Sequence, residues 1–143
     1  MRFERRSGSV SSHGHDGGLL MHRSVPIDLS KNPVQFTAEG SIEQVVQKGR
    51  AHPAVAGRLA GEARMTKSPP HGGEMHPDGD ELLILVEGEV DVVLDDEDGE
   101  RVTALSPGDA FVVPRGIWHR VIVRSPCRLL HFTPGRSQVR QRP

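Results

Sequence analysis

The sequence predicts an all-β domain, either a barrel or a sandwich. From Arg58 onward, short runs of strand length alternate with clusters of turn-forming residues. None of the gaps between these runs is long enough for a crossover helix, so neighbouring strands are expected to be antiparallel. A length of 143 residues with 35% hydrophobic content suits one compact domain with its own core.

The chain divides into one domain and its flanking segments. Residues 1–20 are rich in Arg, Ser, Gly and His and lack the apolar stretch of a secretory signal, so we expect a disordered lead. Residues 21–57 form an N-terminal segment, and residues 58–134 form the β-barrel. Residues 135–143 are polar and basic, which predicts a disordered C-terminal tail.

A short helix is predicted within the N-terminal segment. The tetrapeptide Ser41–Gln44 has the spacing of a capping box, in which the serine caps the helix and the glutamine reaches back to it. Val45 and Val46 extend an apolar stripe, and Gly49 ends the helix.

The barrel is expected to contain a series of short strands separated by turns. In order they are Arg58–Thr66, Leu82–Val86, Glu89–Leu94, Arg101–Leu105, Ala110–Val113, His119–Val123 and Arg128–Thr133. The run Leu82–Val86 is apolar at every position, which predicts burial of both faces. Either the N-terminal helix or a second subunit would cover the outer face. We expect a homodimer, because so short a chain has little else to supply.

Charge and cysteine content restrict the partners. The net charge of −1 gives no cationic field for nucleic acid, and no run of about 18 apolar residues is present to span a bilayer. The single cysteine, Cys127, rules out an internal disulfide framework and favours a reducing compartment. We therefore expect a cytoplasmic protein that binds neither nucleic acid nor membrane.

Two patterns place polar residues at the ends of predicted strands. In the first, four residues separate His76 from Glu81, and six more separate Glu81 from Gly88. In the second, Gly108–His119 reads glycine, five residues, Pro-x-Gly, two residues, histidine. These spacings resemble the two signature motifs of the cupin superfamily. The resemblance covers 74–123 and implies a double-stranded β-helix, the jelly-roll barrel of that family.

The resemblance also implies a set of metal ligands, Glu74, His76, Glu81 and His119. The family usually has a histidine where this chain has Glu74. A carboxylate is a legitimate ligand, and two carboxylates with two neutral imidazoles would balance one divalent ion, with Mn, Fe, Ni and Zn all open. His71 is an alternative to Glu74, because the following glycine pair could turn it inward.

The resemblance implies an enzyme acting on a small organic molecule, such as a dioxygenase, an isomerase or a related enzyme. The alternative is a non-enzymatic β-barrel that binds a small molecule, with no metal or only a structural one. No catalytic residue beyond the ligands stands out. Strand alternation also leaves open whether His131 or Phe132 faces the core.

Overall fold

The computed structural model describes residues 25–45 and 55–143, and all of its regular structure there is β. The strands are β1 Val34–Phe36, β2 Ile42–Gln44, β3 Arg58–Met65, β4 Gly73–Met75, β5 Glu81–Asp96, β6 Gly99–Leu105, β7 Ala110–Val113, β8 Trp118–Pro134 and β9 Gln138–Arg140. The predicted all-β class is confirmed.

Two long strands, β5 and β8, organise the curled antiparallel sheet. Strand β5 pairs with β6, β7 and β8, while β8 also pairs with β3 and β4. The hairpin of β1 and β2 extends the sheet beyond β3. This arrangement is the jelly-roll barrel that the motif spacing implies.

Each long strand joins two runs that the sequence predicts as separate strands. The turn predicted between Val86 and Glu89 is a corner inside β5, and the turn predicted between Val123 and Arg128 is a corner inside β8. Shifts in the pairing register mark both corners. Gly88 has a φ of 88°, and a Cβ built there would clash with the carbonyl oxygen of Pro126. The two strands therefore cross too closely at this corner for any other residue.

The core lies between the two walls of the barrel. Alternate residues of β5 point inward, so Leu83 and Leu85 are only 3% and 0% exposed. The buried apolar cluster comprises Leu83, Leu85, Val90, Val92, Leu94, Leu105, Val113, Cys127 and Leu129.

The predicted helix is wrong where the structure describes the chain. Ile42–Gln44 is strand β2, paired with β1 from Val34 to Phe36. The hydroxyl of Thr37 accepts a hydrogen bond from the Ser41 amide, and the Thr37 amide donates to the Ser41 carbonyl. The supposed capping serine thus closes a hairpin turn, and tertiary pairing overrides the local helix signal. Residues 46–49 of the predicted helix lie outside the described residues.

The C-terminal segment differs from the disordered tail that composition predicts. Gln138–Arg140 forms β9 and pairs with β4. The Arg140 guanidinium bonds to Asp95 at 2.5 Å and lies 4.9 Å from the centre of the Trp118 ring. These contacts with the barrel order a segment that has little apolar surface of its own.

Within the described ranges, no helix has the length and apolar character needed to cross a bilayer.

Candidate metal centre

Three buried side chains converge inside the barrel from different strands. His76 directly follows β4, Glu81 is the first residue of β5, and His119 is the second residue of β8. The Gly116 amide donates to the His76 carbonyl oxygen at 3.0 Å, which joins the end of β4 to the turn before β8. The side-chain atoms that these residues offer all lie within 4.8 Å of one another.

The carboxylate of Glu81 lies between the two imidazoles. Its Oε2 is 3.1 Å from Nε2 of His76, and its Oε1 is 3.1 Å from Nε2 of His119. The three residues are 2%, 5% and 3% exposed for His76, Glu81 and His119. The Nε2 atom of His76 is buried without a hydrogen bond of acceptable geometry. A buried polar atom in this state is costly unless it has another partner, and a metal ion is one such partner.

The electrostatics favour the metal-binding form of Glu81, whereas they favour the protonated form of His76 while no ion is bound. Burial raises the pKa of Glu81, but the contacts with His119 and His76 outweigh burial and hold that pKa below its ordinary value. Burial lowers the pKa of His76, and the nearby carboxylates of Glu81 and Glu74 more than compensate, so the pKa is raised overall. Glu81 is therefore an anion at neutral pH, as a ligand must be.

Further hydrogen bonds orient two of these side chains. The Thr133 hydroxyl donates to Oε2 of Glu81 at 2.6 Å and lies 2.9 Å from Nδ1 of His131. Since that hydroxyl donates its proton to Glu81, it accepts from Nδ1 of His131. On the other side, Nδ1 of His76 lies 2.9 Å from the hydroxyl of Ser137.

The structure settles the orientation of the last barrel strand. His131 is 7% exposed and Thr133 is 3% exposed, so both face the interior. Phe132 faces outward, where its ring centre lies 6.4 Å from that of Phe36. Sequence reasoning missed Thr133, although its spacing of two from His131 places both on one face of a strand. Ser137 gave no signal, because it lies beyond the predicted barrel.

Glu74 and His71 lie beside the group of three but not within it. Glu74 is directly opposite His119 in the β4–β8 ladder, so the two side chains share a face. Its Oε1 lies 3.6 Å from Nε2 of His71. The Nδ1 atom of His71 is buried without a hydrogen-bond partner. Both residues that the sequence offers as the fourth ligand are therefore neighbours of the centre and of each other.

A cavity of about 370 Å³ adjoins the centre. Glu81 and His119 form part of its wall, together with Glu74 and His71. Most of the remaining wall is apolar and includes Met65, Pro69, Pro70, Leu83, Val121 and Leu129.

Comparison with known proteins finds similarity in the barrel. Residues 63–133 match the family profile described as "Cupin domain". "Germin-like protein subfamily 1 member 20" of Arabidopsis thaliana is 46% identical over 57 residues, which is 37% of this chain and 24% of the plant protein. The related member 16 matches equally well. The chain thus spans about a quarter of the length of these curated relatives.

Solved structures share the fold at low sequence identity. Peruvianin-I from Thevetia peruviana latex, described as a cysteine peptidase, has a TM-score of 0.50 and 18% identity over 57% of this chain and 55% of its own. A mutant form of Bacillus subtilis oxalate decarboxylase also has a TM-score of 0.50, with 16% identity over 57% of this chain and 23% of its own. At these identities the likeness concerns the fold alone.

Proposed function

Because residues 63–133 form a cupin domain and the chain belongs to the cupin superfamily, we propose that it binds one divalent metal ion and acts on a small organic molecule there. His76, Glu81 and His119 hold the ion in this proposal. The observation that carries it is the convergence of three buried ligand atoms, one of them a histidine nitrogen without a hydrogen bond. Two imidazoles and a carboxylate are a donor set that suits Mn, Fe, Ni or Zn.

Glu74 completes the ligand set in this proposal. Its position opposite His119 supports this role, because a change of side-chain rotamer could bring the carboxylate to the ion. His71 is the alternative, since its Nδ1 lacks a partner. If Glu74 is the ligand, Glu74→Ala weakens metal binding and His71→Ala does not. The reverse pattern assigns the position to His71.

The bound ion would supply a Lewis acid or a redox centre next to the cavity. The protein supplies the surroundings. Thr133 and Ser137 orient Glu81 and His76 by hydrogen bonds, and the cavity wall supplies mainly apolar contacts to the reacting molecule. The reaction class that fits is a dioxygenase, an isomerase or a related enzyme, with the substrate held in the cavity.

A second candidate is a non-enzymatic barrel that binds a small molecule, with no metal or only a structural one. The cavity itself supports this reading, because an apolar pocket of this size binds ligands without chemistry. A catalytic metal keeps an open coordination position and a structural one does not. Exchange of metal-bound water, measured by proton relaxation on the Mn-loaded protein, separates the two candidates.

A peptidase activity is not proposed. Cys127 is 5% exposed within the apolar core, and burial raises the pKa of its thiol. A nucleophilic cysteine needs an accessible site and a lowered pKa.

The first test of the metal proposal is the metal content of purified, untagged protein by elemental mass spectrometry. We expect about one ion per chain, because residues 25–45 and 55–143 contain one such group of ligands. His76→Ala and His119→Ala should each lose most of the ion while keeping a β-rich circular dichroism spectrum. His22→Ala is a matched control, since it removes a histidine outside the cupin domain. Equal metal content in all four proteins would refute the assignment.

We also propose that the protein is a homodimer in the cytoplasm. The outer face of the sheet, defined by Leu82, Ile84, Val112 and Phe132, supports a second copy as its cover. Leu82 is the direct partner of both Val112 and Phe132, so these side chains form an apolar row. The single buried cysteine supports a reducing compartment. Recovery of the native protein from a membrane or secreted fraction would contradict that location.

A further inference from the structure

The cavity beside the metal centre has a wall chemistry that selects among substrates. Its apolar wall includes Met65, Leu83, Val121 and Leu129. Glu81 and His119 border the same space, so a molecule in the cavity would contact the ion that they hold. A volume of about 370 Å³ is near the lower end of ligand pockets, the size for a substituted aromatic ring.

The charges around the cavity are acidic or neutral. Among the described residues that line it, none is a lysine or an arginine, whereas Glu74 and Glu81 both contribute carboxylates. The arginines on adjoining strands are engaged in ion pairs elsewhere. Arg128 pairs with Glu62, and Arg120 pairs with Glu100.

The site has no uncompensated positive charge that could pair with an anionic substrate. Two carboxylates balance the charge of a divalent ion, so the centre as a whole is close to neutral. A dicarboxylate would have to enter an apolar space without a cationic partner, which costs the hydration of its second charge. An uncharged molecule with an apolar body loses little hydration free energy on entering the cavity. Burial of its apolar surface then favours binding.

From this arrangement, and on the basis of the proposed metal function, we propose that the substrate is a small, uncharged and mainly apolar compound that binds the ion through one or two oxygen atoms. Dicarboxylates such as oxalate are disfavoured. The shared fold with oxalate decarboxylase then does not extend to the chemistry of the pocket.

A pair of matched probes tests the inference on the Co(II)-loaded full-length chain. Acetohydroxamic acid and benzohydroxamic acid carry the same metal-binding group, and only the second has an aromatic ring for the apolar wall. Their affinities are read from the change in the Co(II) absorption spectrum, with oxalate titrated alongside. We expect benzohydroxamic acid to bind at least about tenfold more tightly than acetohydroxamic acid, from burial of the ring. Oxalate should bind more weakly than benzohydroxamic acid.

A change of wall charge should reverse this preference. Val121→Arg places a cation in the cavity wall. We expect this variant to bind benzohydroxamic acid more weakly, and oxalate more tightly, than the wild type does. Met65→Lys, on another strand, is a second variant with the same expected direction. Val102→Arg is the matched control, because Val102 is 59% exposed on β6 and does not line the cavity. Circular dichroism checks that each variant is folded.

The outcomes separate the inference from the proposed function. Equal binding of the two hydroxamic acids, or tightest binding of oxalate, by the Co(II)-loaded protein would overturn the substrate class and leave the metal site intact. A wild-type protein that takes up no Co(II) would overturn the metal function and the substrate class together.

Discussion

The hydroxyl of Thr133 is a single polar group that orients the proposed metal centre. It donates to Glu81 and accepts from His131, which makes a buried chain of hydrogen bonds beside the apolar core. Such partners fix the orientation of metal-binding side chains and are costly to lose. Thr133 thus belongs to the site although it is not a ligand.

Thr133→Val is expected to weaken metal binding by about 10- to 100-fold, because Glu81 loses its donor while the volume of the side chain stays the same. Thr133→Ser keeps the hydroxyl and should retain most of the affinity. The measurement is a competition titration of Co(II) against a chromophoric chelator. Thr103→Val, at an exposed position on β6, is the control. Equal affinities for Thr133→Val and the wild type would show that the hydrogen bond does not support the site.

Glu62 is a residue whose contribution to stability depends on pH. Hydrogen bonds from Arg128 and Arg64 lower the pKa of Glu62 from its ordinary 4.5 to about 2. Because the folded-state pKa is the lower one, the stabilisation is fully present above pH 4.5 and is lost as pH falls toward 2. We expect the ion pairs of Glu62 to contribute about 1 kcal/mol to the free energy of unfolding at neutral pH. The contribution is small because both arginines keep contact with solvent, which screens the charges.

Urea denaturation of Glu62→Gln at a series of pH values measures this contribution. The variant should be less stable than the wild type at neutral pH, and the two unfolding free energies should converge toward pH 2. Glu97→Gln, in the exposed turn between β5 and β6, is the control. A constant difference at all pH values would exclude the ion pair as its cause.

At the scale of whole strands, the bends in the long strands depend on glycine residues. At the corner of β5, Gly88 combines a positive φ with close approach to the backbone of β8. Gly99, the first residue of β6, has a φ of 106° but nothing within 4 Å of a built Cβ. The two glycines therefore separate the cost of backbone strain from the cost of crowding.

Gly99→Ala is expected to lower the free energy of unfolding by about 1–2 kcal/mol, from the positive φ alone. Gly88→Ala should cost roughly 1–3 kcal/mol more, because its Cβ would also meet the β8 backbone. Urea denaturation of both variants provides the comparison. If Gly88→Ala costs no more than Gly99→Ala, the strands do not cross closely at this corner.

The sequence predicts where the runs of the barrel strands lie better than it predicts which neighbouring runs join into one long strand. Runs rich in apolar residues mark both halves of β5 and both halves of β8, but local turn residues do not reveal that each pair of halves is one bent strand. The motif spacing brings His76, Glu81 and His119 to one place, since that spacing follows from the barrel. Thr133 and Ser137 depend on tertiary contacts across β8 and β9, which have no fixed spacing to the motifs. The capping box at Ser41 failed for the same reason, because pairing with β1 decides the conformation.

At the scale of the whole molecule, the outer face of the sheet is the surface that a second copy would cover. Val112 is 54% exposed at one end of its apolar row, beside Leu82. Val112→Glu places a charge there and should shift a dimer to monomers in size-exclusion chromatography with light scattering. Val102→Glu changes a similarly exposed valine, paired with the far half of β5 at Val93, and should leave the mass unchanged. A wild-type monomer at micromolar concentration would refute the dimer.

The buried position of Cys127 makes its thiol a probe for the transient separation of strands β3 and β8. It is the one cysteine of the sequence, and it lies in the core opposite Met65, where β8 pairs with β3. A thiol reagent can reach it only when these strands separate, so the labelling rate counts such events. A ligand that binds only the closed barrel lowers the labelling rate in proportion to the fraction of protein molecules that have the ligand bound. The rate at which the thiol is labelled therefore reports ligand binding in the barrel.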